Sequence, residues 1–219
     1  MATLPRAGNG ILNLLHEYYF LTPDRLAKIR GTSLRAEQRN LNLLARQKEV
    51  KRLPYLPLNC ERGVQYVYHT QDGHSRRTLD HELDITDFHI KMAQLSTQHG
   101  WELIWQQKHM TGTFYPDAYF SIRGLHFFLE IERQKYGNVK QGKPSIIRKA
   151  DAYYEYYESK DCMKRWGFDQ FRVIFQLKEI NPDDFLGRIE HKHRLYWVGT
   201  PDSLTYRTNK GDQLTFSDL

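Results

Sequence analysis

Two strand-like runs joined by a short turn, each with a carboxylate near its open end, constrain this chain most. The first opens as Tyr115-Pro116-Asp117-Ala118-Tyr119-Phe120, and the second closes as Phe127-Phe128-Leu129-Glu130-Ile131-Glu132-Arg133. Asp117 and Glu130 stand thirteen positions apart. One short hairpin of that length brings both side chains to one end of a sheet. Paired carboxylates repel, and a divalent cation or a shared proton relieves the repulsion. The segment points to a metal-dependent phosphodiester site, or to the remains of one.

The chain has 219 residues, 40% of them hydrophobic, enough to bury the core of one large domain or two small ones. Its formal charge of +6 favours acidic partners, nucleic acid first. Cys60 and Cys162 are too far apart for a disulfide framework or a metal-ligand cluster, and read as buried free thiols. The start, Met1-Ala2-Thr3-Leu4-Pro5-Arg6, lacks the apolar core of a signal peptide. No run approaches the ~20 apolar residues of a membrane span. A cytoplasmic protein without a membrane partner is expected.

The first third reads as three helices and a hairpin. Ile11, Leu12, Leu14, Leu15, Tyr18 and Tyr19 repeat at helical spacing. Thr22-Pro23-Asp24 starts a second helix, with a capping hydroxyl, a proline suited to the first position and an acid facing the dipole. Gly31 ends it. Thr32 or Ser33 caps a third helix running to about Lys48, with Leu34, Leu41 and Leu44 facing inward. Val50–Tyr55 and Val64–His69 then read as two strands. This order predicts a winged helix-turn-helix over 1–78. Between Arg25 and Arg52 there are nine basic residues and two acidic ones, a net of +7 that exceeds the charge of the whole chain. Arg35, Arg39, Asn42 and Arg46 form one helical stripe, as a helix in the major groove requires. Lys48, Lys51 and Arg52 extend this expected DNA-binding surface.

Beyond Gln71-Asp72-Gly73 the pattern changes. A long helix runs from Leu79 to about Gln98, and Trp101–Trp105, Asp117–Arg123 and Leu125–Glu132 read as strands. A helix from Ser145 to about Ser159 and a buried strand, Phe171–Leu177, follow. Pro182–Arg194 reads as a helix and Leu195–Val198 as a last strand. The expectation for 79–219 is an α/β (α+β) domain with a mixed sheet.

The order helix, three strands, helix, strand resembles the common core of the PD-(D/E)XK nuclease superfamily. From about residue 10 to 177 the chain resembles the replication-relaxation family of plasmid and mobile-element proteins. Three stretches carry that likeness: Leu21-Thr22-Pro23-Asp24-Arg25-Leu26; His81-Glu82-Leu83 with Asp87-Phe88; and Pro116-Asp117-Ala118 with Phe128-Leu129-Glu130-Ile131-Glu132-Arg133. The resemblance implies a role in plasmid replication and DNA relaxation.

It also implies residue roles. Asp117 and Glu130 would bind Mg²⁺, with the Ile131 carbonyl and Glu82 as further ligands. The superfamily pattern wants a lysine two positions after Glu130, where this chain has Glu132. Lys135 and Lys149 are the candidate substitutes. Lys149 and Tyr153 lie four apart and share a helix face. His81 and His89 read as structural.

Three functional outcomes stay open. One is a DNA-binding factor of a plasmid or mobile element whose nuclease-like domain is degenerate. Another is an active Mg²⁺-dependent DNA endonuclease or nickase. A third is a DNA-binding or scaffolding subunit of a transposition or defence assembly. The expected partner is double-stranded DNA, with a second copy of the chain or a larger mobile-element assembly beyond it.

Overall fold

The computed structural model describes residues 6–55, 65–70, 76–107, 115–133, 145–189, 195–201, 203–208 and 210–218. Among the described residues it is a mixed α/β protein with seven α-helices and a seven-stranded mixed sheet. Two compact units divide the chain, Met1–Met92 and Ala93–Leu219.

The first unit holds α1 (Arg6–Tyr18), α2 (Pro23–Arg30), α3 (Leu34–Arg46) and the antiparallel strands β1 (Lys51–Tyr55) and β2 (Gln65–His69). Its apolar centre joins Ile11, Leu15 and Tyr18 of α1 to Leu26, Leu41, Leu44 and Val50. Thr22 caps α2 by accepting from the Arg25 amide at 3.2 Å. Gly31 closes α2 in the left-handed region, φ 62°. Ser33, not Thr32, caps α3, accepting from the Ala36 amide. Leu34 does not face inward: it is 44% exposed, because it stands in the first turn of α3 beside exposed residues 31–33. An isolated bridge ties Leu21 to Tyr68, so the α1–α2 connection lies alongside β2.

Helix α4 (Arg76–His99) carries the division between the units. The sequence places the domain boundary before Leu79, but the division falls after Met92. Leu79 and Leu83 pack with Phe20 and Val67, which ties the start of α4 to the first unit.

In the second unit the strand order is β3 (Leu103–Gln107), β4 (Ala118–Ile122), β5 (Leu125–Glu132), β6 (Arg172–Leu177), β7 (Tyr196–Gly199), β8 (Thr205–Arg207) and β9 (Gln213–Thr215). Strands β5, β6 and β7 run parallel, and the pairs flanking them are antiparallel. Between β5 and β6 come α5 (Ser145–Glu158) and α6 (Asp161–Trp166), and α7 (Pro182–Arg188) precedes β7. One sheet face carries Phe128, Val173, Phe175 and Tyr196 against Ile146, Ala150 and Tyr153 of α5 and Phe185 of α7. The other gathers Phe120, Phe127 and Trp197 around Phe216. Strand β5 is buried on both faces, as its continuous apolar run requires.

The predicted helix over 182–194 ends at Arg188, and 190–194 lie outside the described residues. The third predicted strand start, Trp101, instead stacks on His99, with centroids 4.4 Å apart. Cys162 is a buried free thiol, and Cys60 lies outside the described residues. Among the described residues no helix is long and apolar enough to cross a membrane.

Candidate functional site

A two-residue turn sets the register of the carboxylate pair. Arg123 and Gly124 both have positive φ, 52° and 74°, as a type I′ hairpin loop demands. Ile122 therefore pairs with Leu125, and the ladder continues to Ala118 opposite Leu129. One step further puts Asp117 against Glu130, and directly opposed residues share a sheet face. The Asp117 amide donates to the Leu129 carbonyl at 3.0 Å, and Asp117 Oδ2 accepts from the Ile131 amide at 2.7 Å.

Glu130 faces α5 and is 1% exposed. The Tyr153 hydroxyl donates to its Oε1 at 2.8 Å, and the Lys149 ammonium pairs with its Oε2. The i, i+4 spacing of Lys149 and Tyr153 lets one helix face engage both oxygens. Burial, reinforced by the charge of Asp117, pushes the Glu130 carboxyl up to about 7, against the pull of Lys149 and Tyr153. Burial pulls the Lys149 ammonium down, but Glu130 and Asp117 outweigh it and the balance is upward. Burial and then Glu130 hold the Tyr153 phenol well above its ordinary value.

Glu132 follows Glu130 on the same face, half-buried, and its charge also reaches Lys149. Lys135 lies outside the described residues. Glu82 is buried on α4, in the first unit. Among the described residues no group of three or more Asp, Glu, His or Cys side chains is placed to hold a metal ion.

The second cluster of chemistry is the basic surface of the first unit. Arg35, Arg39, Asn42 and Arg46 on α3, with Lys48, Lys51 and Arg52, are all exposed. The basic residues of this region fall into two sets. Arg25, Lys28 and Arg30 are committed to Asp87, Asp24 and Glu37. Arg35, Arg39, Arg46 and Lys48 have no carboxylate partner among the described residues. Asn42 is oriented by the Tyr68 hydroxyl, which donates to its Oδ1 at 3.1 Å. The Arg52 guanidinium lies over the Tyr66 ring, 4.8 Å from its centroid.

Two organising interactions escape the sequence. Glu37 is 1% exposed and accepts from Thr32 Oγ1 at 2.6 Å, Asn40 Nδ2 at 3.3 Å and Arg30 Nη1 at 3.5 Å. It braces the α2–α3 turn, and its isolation within a run of basic residues is the signal that marks it. Arg25 and Asp87 form a two-pronged pair, Nε to Oδ1 at 2.8 Å and Nη2 to Oδ2 at 2.6 Å. Sixty-two positions separate them, and no local spacing reveals such a pair. Searches of the chain against protein-family models, curated proteins and solved structures return no significant match.

Proposed function

We propose that this protein binds double-stranded DNA through a winged helix-turn-helix at its N-terminus, with α3 entering the major groove. One observation carries this reading: among the described residues the outward cations of α3 have no carboxylate partner, while neighbouring cations are spent on structural ion pairs. Uncommitted arginines suit guanine edges and phosphates. The three-residue link between capped helices and the β1–β2 hairpin supports the same reading. A role in plasmid or mobile-element replication rests on the family resemblance.

Fluorescence anisotropy with a labelled duplex tests it. Binding should weaken steeply with salt, and a phosphate-contacting cation on the stripe should reduce the salt slope by about one when removed. Arg35→Ala and Arg39→Ala should each weaken binding. No binding, or affinity indifferent to both substitutions, would reject the reading.

A second reading has its own observation. The Lys149 ammonium stands at Glu130, within the charge field of Asp117, and supplies the cation that position 132 lacks. Under this reading the second unit is a PD-(D/E)XK nuclease-like domain. Mg²⁺ commonly keeps several waters and takes one or two carboxylates, so Asp117 and Glu130 fit it in that water-rich mode. Lys149, 43% exposed on a flexible stem, can leave Glu130 Oε2 to admit the ion. When bound, the ion would offset phosphate charge and acidify a water. Asp117 would keep its anchor on the Ile131 amide, Tyr153 would orient Glu130, and Lys149 would turn toward phosphate. Supercoiled plasmid with Mg²⁺ or Mn²⁺ should then give nicked or linear product that Asp117→Ala abolishes. Absence of product, with DNA affinity intact in Asp117→Ala, marks a core kept for binding alone.

A further inference from the structure

Beside the exposed stripe of α3, and sharing Asn42 and Arg46 with it, lies a cleft of about 830 Å³ that also runs onto β1. Ala45, Val50 and Leu53 give it an apolar floor, and Arg46, Lys48, Lys51 and Arg52 stand among its lining residues. Among the described residues that line it there is no carboxylate. Phosphate alone would need the cations but not the floor. A nucleobase or sugar beside a phosphate needs both.

Lys48 supplies an independent observation. Helix α3 ends in a Schellman-type closure: the Lys48 amide donates to the Ala45 carbonyl at 3.2 Å, and the Glu49 amide to the Leu44 carbonyl at 3.0 Å. The residue at the left-handed position of such a closure is usually glycine. Here it is Lys48, at φ 63°. A lysine carries a steric cost there that glycine does not, and strain of this kind gathers at ligand-binding positions. The strained residue's side chain lines the cleft and has no carboxylate partner among the described residues.

From these observations the geometry points to a pocket for one unpaired nucleotide of a DNA strand, its base or sugar on the floor and its phosphate among the cations. This rests on the duplex-binding reading and deepens it: the protein would prefer DNA with a frayed or single-stranded end over a continuous duplex. Asn42, whose Oδ1 accepts from the Tyr68 hydroxyl, is also among the residues lining the cleft.

The test compares a labelled blunt duplex with the same duplex carrying a short 5′-phosphorylated overhang. The full chain should bind the overhang about tenfold more tightly, which corresponds to ~1.4 kcal/mol. Lys48→Gly is the informative variant. It relieves the left-handed strain, so its Tm should rise, yet it should lose the overhang preference. Ala45→Glu, which sets a carboxylate on the floor, should lose the preference as well. Equal affinity of the parent for both duplexes would overturn the pocket while leaving duplex binding standing. An equal loss for both DNAs in Lys48→Gly would also overturn it, reducing Lys48 to a general phosphate contact. Failure of the parent to bind either DNA would sink the underlying reading.

Discussion

The Lys149 ammonium on α5 closes on Oε2 of Glu130, a β5 side chain 1% exposed and nineteen positions earlier in the chain. The pair is asymmetric: the carboxylate is buried and the ammonium is 43% exposed. Removing the lysine strands the carboxylate, whereas removing the carboxylate frees a cation that can reach water.

Lys149→Ala should therefore destabilise more than Glu130→Gln. Breaking a fully buried pair costs ~3–5 kcal/mol, and the exposure of Lys149 reduces this to about 1–3 kcal/mol. The loss should be larger at pH 8, where Glu130 is ionised, than at pH 5.5, where it holds a proton. Urea unfolding at both pH values measures this. An equal loss at the two would show that the ion pair contributes nothing.

The two units should respond to pH in opposite directions. Burial and the charge of Asp117 raise the Glu130 carboxyl from 4.5 to about 7. Between those values the folded second unit keeps a proton that the unfolded chain releases, so its stability falls as pH rises. Burial lowers His89, whose Nδ1 meets the Tyr18 hydroxyl, from 6.5 to about 4. There the unfolded chain takes a proton that the folded first unit refuses, so stability falls as pH drops from 6.5 toward 4. All four tryptophans lie in the second unit, so their fluorescence follows that unit, and amide exchange follows the first. Glu130→Gln and His89→Gln should each flatten one of the two profiles.

Glu37→Ala should cost about 2–3 kcal/mol, since it leaves donors around a buried position without their acceptor. DNA affinity should fall with it, because the α2–α3 turn loses its brace. Calorimetry of the variant alongside Glu37→Gln, which keeps one acceptor oxygen, separates shape from charge. A Tm unchanged in the alanine variant would contradict a bracing role.

Gly199→Ala should destabilise the second unit by about 1–3 kcal/mol through crowding. An added Cβ would meet the Thr205 carbonyl oxygen at 2.8 Å and Tyr206 Cδ1 at 2.9 Å, where β7 and β8 approach. For a chain of this size each kcal/mol lowers Tm by roughly 2–4 °C. A shift below one degree would mean that β8 yields freely.

Most of this architecture is legible in the sequence where short-range chemistry governs it. The caps at Thr22 and Ser33, the stop at Gly31 and the limits of β5 follow from local rules. The shared face of Asp117 and Glu130 follows from strand parity and the Arg123-Gly124 turn. Three-residue strands such as β8 and β9 escape because they are too short for a period to register. Leu34 misleads because periodicity reports an angle around the helix but not where the packed layer ends. Glu37 and the Arg25–Asp87 pair escape because charge in a sequence does not reveal whether a neighbour will neutralise it. In the candidate site, Lys149 and Tyr153 are legible as one helix face, but their convergence on the two oxygens of Glu130 depends on how α5 crosses β5.

The Arg123-Gly124 turn has an evolutionary corollary. Side chains there are replaceable, since asparagine or glycine would accept the same backbone at position 123. Chain length is not. One inserted residue would throw Asp117 out of phase and aim it toward the aromatic packing around Phe216. The hairpin acts as a ruler, and descendants of this protein are expected to vary its lettering while keeping its count.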